Sequence, residues 1–178
     1  MLLLMLRSAL FAFVGLAFFV YWVVADPSFG ESARQSEWNY VLAFSGVILL
    51  LALAVPALAQ LVGGRLAFRV SVAAAAGATL SSVANIFEDG LQLSWVFLVF
   101  IVGGAFLQLG LLALTGVIAL SGRGGYRLLA LVPAGTIAAI ILFVVAGGPI
   151  MLATWLTAAM LALALPTSTT ARAARGMS

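Results

Sequence analysis

The chain of 178 residues contains no cysteine, no histidine and no lysine, and each absence removes some chemistry. Without cysteine there are no disulfides, no thiolate nucleophiles and no thiolate metal ligands. Without histidine the commonest general base and metal ligand are gone, and without lysine there is no Schiff-base amine. Charge is scarce as well. Only 7% of the side chains are charged and 65% are hydrophobic, whereas an ordinary soluble domain carries about a quarter charged residues. Such a chain has too little polar surface to keep a globule of its size in water, and a lipid solvent removes the difficulty. The formal charge of +3 comes from arginine alone. In so apolar a chain it speaks to orientation in a bilayer, and no nucleic-acid partner is expected.

What is present is a series of apolar runs. A helix needs about 20 residues to cross a hydrocarbon core of about 30 Å, and six runs reach that length, near residues 2–24, 38–62, 66–87, 91–120, 127–146 and 149–166. The expected fold class is therefore all-α, a polytopic membrane bundle of six transmembrane helices occupying residues 1–166 as a single unit. The connections are short: Asp26 to Glu37 with Pro27 and Gly30, then Gly63-Gly64-Arg65, Glu88-Asp89-Gly90, Ser121 to Tyr126, and a Gly147-Gly148-Pro149 turn. After Pro166 the residues 167–178, rich in Ser, Thr, Ala and Arg, read as a disordered cytoplasmic tail.

Arginine sets the orientation. With both termini inside, Arg7, Arg65, Arg69, Arg123, Arg127, Arg172 and Arg175 fall on the cytoplasmic side and only Arg34 lies outside. Asp26, Glu31, Glu37, Glu88 and Asp89 all fall opposite, and Tyr21, Trp22, Trp38, Tyr40 and Trp95 mark the outer interface. The first segment has a rival reading as a cleavable leader ending at Val23-Val24-Ala25. Its length and the Tyr21-Trp22 pair favour a retained helix. Arginine without lysine, alanine richness and compact loops suggest a bacterial inner membrane.

Polar groups at depth are the candidates for function. Arg7 and Arg69 lie near inner helix ends, where their heads snorkel to the headgroups. Gln108 falls near the midplane, and Thr79, Thr136 and Thr157 fall at similar depth, so the four are candidates for a central polar cluster or a cavity lining. The competing reading is interhelical glue, or threonines bonded to their own helix carbonyls. On the third helix Ala73, Gly77, Ser81 and Asn85 recur every four residues, a packing row that places this helix centrally. Shorter rows occur at Ala134/Ala138, Gly135/Ala139 and Thr154/Ala158/Ala162. The first helix, with Phe11, Phe13, Phe18 and Phe19, reads as lipid-facing. Asn85, Glu88 and Asp89 form a candidate outer-mouth site for a hard cation or polar ligand. The alternative is a plain turn, with Gly90 ending one helix and Asp89 or Ser94 capping the next. Pro56 is read as a kink in the second helix, and Pro149 as a first-turn residue of the sixth.

No zincin, nucleophile-elbow, phosphate-loop or intramembrane diaspartate motif is present. No enzyme activity, cofactor or metal is expected. The expected function is non-catalytic: binding of an apolar or lipid-like molecule, or service as a membrane subunit beside a protein partner. The alternative is a small-molecule transporter or permeation pathway around Gln108.

Overall fold

The computed structural model describes residues 2–25, 37–122 and 124–165, apart from the side chain of Leu3. Asp26, Pro27, Gly30, Glu31, Arg34, Arg123 and the segment 166–178 with Arg172 and Arg175 lie outside the described residues. Among the described residues there are no strands. The helices are α1 (Leu2–Ala25), α2 (Trp38–Val62), α3 (Arg65–Asn85), α4 (Phe97–Ser121), α5 (Leu131–Ile141) and α6 (Phe143–Ala164). With their short flanking turns, six segments are long and apolar enough to cross a membrane. Their outward surfaces agree with a lipid environment, since Leu98, Leu109, Leu112 and Leu120 of α4 are exposed, Leu120 by 86%. Apolar faces of that extent are not left to water in soluble monomers.

The helices alternate in direction around a closed ring, each packing on its neighbours in chain order, with α6 returning to α1. Arg7, Arg65, Arg69 and Arg127 collect at one end, the arginine end, and Glu88 and Asp89 at the other, the acidic end. The most extensive contacts are α3 with α4, α1 with α6 and α2 with α3, while α1 with α2 and α4 with α5 are thinner.

Local chemistry explains most of the boundaries. The chain reverses between α2 and α3 at Gly63 and Gly64, whose φ of 77° and 100° are left-handed values that a side chain disfavours. At the acidic end α3 widens into a π-turn, Ile86–Gly90, with Leu91 N–H donating to the carbonyl of Ile86. Gln92 then reverses the chain at φ 57° and donates its amide to the carbonyl of Asp89 at 2.5 Å. A short 3-10 turn, Ser94–Val96, leads into α4. Neither Asp89 nor Ser94 caps α4, because the turn extends to Val96 and no side-chain cap is formed there. The fourth helix therefore starts later than residue 91. The role of Gly90 is steric: a Cβ there would lie 2.9 Å from the Trp38 ring.

The last hairpin departs furthest from the sequence reading. The reversal between α5 and α6 lies at Leu142, and Gly147, Gly148 and Pro149 are inside α6, with Pro149 six residues beyond its start. Gly147 and Gly148 are packing positions. Added Cβ atoms would meet the Ala139 carbonyl at 2.6 Å and the Trp22 ring at 2.6 Å. Between them α1 and α6 are clasped by the Trp22 indole, which donates to the Phe143 carbonyl at 2.5 Å. The hairpin starts at the arginine end with a 3-10 stretch, Gly124–Ala130, where Arg127 Nε donates to the Gly122 carbonyl at 2.8 Å.

Nor is α1 a purely lipid-facing helix. Phe11, Val14 and Phe18 are buried, Gly15 abuts Trp155 and Leu152 of α6, and Ser8 Oγ donates to the Ala159 carbonyl at 3.0 Å, while Phe13 faces outward. Its small residues, rather than its aromatic content, decide which face docks. In the arginine half a contiguous core containing Phe11, Leu58, Leu114, Ile118, Leu129 and Trp155 fills the interior.

Candidate functional site

In the acidic half the ring is not filled. A cavity of about 970 Å³ runs from the acidic end to mid-depth and is lined by residues of all six helices. Its side walls are aromatic and aliphatic: Phe18 and Tyr21 from α1, Phe44 and Ile48 from α2, Phe100 and Ile101 from α4, and Phe143 from α6. The rings stand in contact around it, Tyr21 with Phe44 at 5.6 Å between centroids, Phe44 with Phe100 at 6.4 Å and Phe18 with Phe143 at 5.8 Å. Leu51, Leu107 and Gln108 form the floor. The polar rim is Asn85, Glu88 and Asp89, with Ser81 below it.

This void follows from where bulk sits in the sequence. On the arginine side, α4 contributes Leu111, Leu114 and Ile118 to the centre, all fully buried. On the acidic side it lines the void with the small Gly104 and Ala105 beside the larger Phe97, Phe100 and Ile101, and α3 contributes Ser81. Small residues also draw α3 and α4 together. A Cβ on Gly77 would lie 2.5 Å from the Leu107 nitrogen, one on Gly103 2.6 Å from the Ser81 nitrogen, and one on Gly110 2.6 Å from the Ala74 Cβ. The two helices touch through the line Ala74, Gly77 and Ser81, while Ala73 is exposed. The four-residue row winds about 40° per step, so Ala73 has turned off the contact face that Gly77 and Ser81 share. As a ring member, α3 keeps an exposed stripe at Val72, Ala76 and Val83 instead of occupying the centre.

The rim has a firm base. Asn85, only 4% exposed, donates its amide nitrogen to Ser45 Oγ at 3.1 Å and to the Val41 carbonyl at 3.4 Å, and Ser82 Oγ donates to the Ser45 carbonyl at 2.9 Å. These bonds fasten α3 to α2 beneath the carboxylates. Glu88 and Asp89 project from the π-turn, half-buried. Glu37 is exposed at the start of α2 and does not line the cavity. Among the described residues no three His, Cys, Asp or Glu side chains stand close enough together to hold a metal ion.

The proposed mid-membrane cluster is not assembled. Thr79, Thr136 and Thr157 donate to Ala75, Val132 and Ala153, each the carbonyl four residues back on its own helix, at 3.0, 2.8 and 2.8 Å. A hydroxyl that finds an acceptor on its own helix has no need of a distant amide. Thr79 is exposed, Thr136 is buried within the α5 packing face, and Thr157 lines a separate small pocket of about 200 Å³ with Thr154. Gln108 alone reaches the cavity, and no hydrogen bond joins its side chain to any described residue. The sequence reading did not single out the aromatic walls, because Phe18, Phe44, Phe100 and Phe143 come from four separate helices and share no local spacing.

Among the described residues the fold and site define a class, an all-helical bundle with six segments long and apolar enough to cross a membrane and a large cavity toward its acidic end. No family model, curated protein or solved structure matches the chain.

Proposed function

We propose that this is a non-catalytic integral membrane protein that holds an apolar or lipid-like molecule in the cavity of its acidic half. The carrying observation is the cavity itself. About 970 Å³ lies near the top of the range occupied by small-molecule sites, about 300–1,000 Å³, which are likewise mostly apolar with a few placed polar groups. The filled arginine half supports a vessel closed at one end. In this reading both termini and the arginine end face the cytoplasm of a bacterial inner membrane, and the cavity opens toward the outer leaflet, by the arginine distribution.

A second reading, a permeation pathway, is favoured by one feature, the unpartnered Gln108 on the cavity floor. It requires the core around Leu114, Ile118 and Trp155 to part. Service as a subunit of a larger assembly remains compatible with binding. It predicts that a second chain follows this one through mild-detergent purification.

The test uses Gly104. A Cβ there meets only Ser81 Oγ, at 3.8 Å, and the position lines the cavity, so Gly104→Leu puts a side chain into the void without pressing on a helix. Native mass spectrometry of the gently extracted protein is expected to show a small-molecule or lipid adduct on the wild type that is missing from Gly104→Leu. Bare protein in both, or an identical adduct in both, would end the reading.

A further inference from the structure

The walls of the cavity set the size of its occupant, and the rim sets its charge. Among the described residues, every charged group that lines the cavity is a carboxylate, Glu88 or Asp89. The described arginines are at the far end: Arg65 and Arg69 begin the helix on which the π-turn follows, and some twenty residues at 1.5 Å per residue separate them from it by roughly 30 Å. Two half-buried carboxylates with no described cation near them make the rim a region of negative potential at the mouth of a low-dielectric chamber, where charge interactions are stronger than in water.

A second polar group points the same way. Asn85 is more than nine-tenths buried and lines the cavity. Its amide nitrogen is committed to Val41 and Ser45, which leaves Oδ1, an acceptor only, without a partner among the described residues. Below the rim the rings of Tyr21 and Phe100 each stand against Phe44, and aromatic faces attract cations through the ring quadrupole. Acceptors, anions and aromatic rings thus line the upper cavity, and the lower lining is aliphatic apart from Gln108.

Resting on the binding reading above, we propose that the occupant is a lipophilic monocation: an apolar body carrying a single organic ammonium or similar onium centre, with the body between Phe18, Phe44 and Phe143 and the positive centre beneath Asn85, Glu88 and Asp89. An anionic headgroup would meet two carboxylates of its own sign. A neutral body of the same shape would leave them half-desolvated with nothing to compensate.

The experiment is equilibrium binding of radiolabelled tetraphenylphosphonium to the purified full-length protein in uncharged maltoside micelles, with tetraphenylborate as the shape-matched anion. The phosphonium is expected to bind at least about tenfold more tightly than the borate. In the Glu88→Gln/Asp89→Asn double variant, checked for fold by circular dichroism and monodispersity, its affinity should fall by about tenfold or more, the change that one half-buried charge pair is able to supply. Gly104→Leu should abolish binding of both. Equal binding of the two ions, each lost in Gly104→Leu, would overturn the charge inference and leave the cavity reading standing. No Gly104-sensitive binding of either ion, together with no adduct in native mass spectrometry, would remove both. The mass of any natural adduct separates the sources: a phosphate-free cationic lipid and a small free amine both support the inference, and a phospholipid displaced by Gly104→Leu contradicts it.

Discussion

At the scale of single residues, glycine has two opposite uses within one helix pair. Gly77 and Gly103 exist so that α3 and α4 can touch: a side chain at Gly77 would lie 2.5 Å from the Leu107 nitrogen and 2.7 Å from the Gly103 carbonyl, atoms that cannot move aside without moving a helix. Gly104, one residue further on, faces the void. Gly77→Leu is therefore expected to lower stability by about 1–3 kcal/mol or more, the range for overpacking a fitted interior, while Gly104→Leu leaves it within about 1 kcal/mol. Reversible unfolding in mixed micelles separates the two, and similar losses in both would show that the α3–α4 interface is misplaced. Hydrogen bonding follows the same economy. The three mid-depth threonines each return to their own helix, whereas Ser8, Trp22, Ser81, Ser82 and Asn85 bond across to a neighbour.

At the scale of elements, hydropathy and length were legible in advance, and the positions of the turns only in part. Five of the six segments begin or end near a charge or a Gly-Gly pair, and these boundaries were readable to within a few residues. The fourth boundary drifted because a π-turn and a 3-10 turn intervene between Ile86 and Val96, and neither leaves a periodic signal. The last hairpin was misread because Gly-Gly-Pro looks like a break wherever it falls, yet Gly147 and Gly148 are spent on close contact with Ala139 and Trp22. Of the candidate site, the rim residues Asn85, Glu88 and Asp89 and the floor residue Gln108 were readable because polar groups stand out in an apolar chain. The walls were not, since a cavity is made by what neighbouring helices fail to fill. The reassigned turn has a direct check. With the reversal at Leu142, Gly135 faces Thr154, so Gly135→Cys with Thr154→Cys should cross-link on oxidation in this otherwise cysteine-free chain. Gly135→Cys with Leu161→Cys, the pairing required by a turn at residues 147–149, should not. The opposite pattern would restore the earlier turn.

At the scale of the whole molecule, the charges are segregated end to end, with four described arginines at one end and Glu88 and Asp89 at the other. If the bundle sits in a bilayer as proposed, a membrane-impermeant maleimide applied to intact cells should label Leu91→Cys, half exposed beside the π-turn, and spare Ser121→Cys at the arginine end. Labelling of Ser121→Cys alone would invert the topology and turn the cavity toward the cytoplasm.

The bend of the last hairpin is built from Ile141, Leu142, Phe143, Val144 and Val145, without one polar side chain, and Val145 is 78% exposed. Such a bend has no mooring of its own at a water boundary. It is held from α1, by the Trp22 indole on the Phe143 carbonyl and by Phe18 and Tyr21 against the Phe143 ring. Phe143 and Val144 also form part of the chamber wall, so the level of that wall is borrowed from α1, and the first helix of the chain governs the shape of a chamber to which it contributes only Phe18, Tyr21 and Ala25.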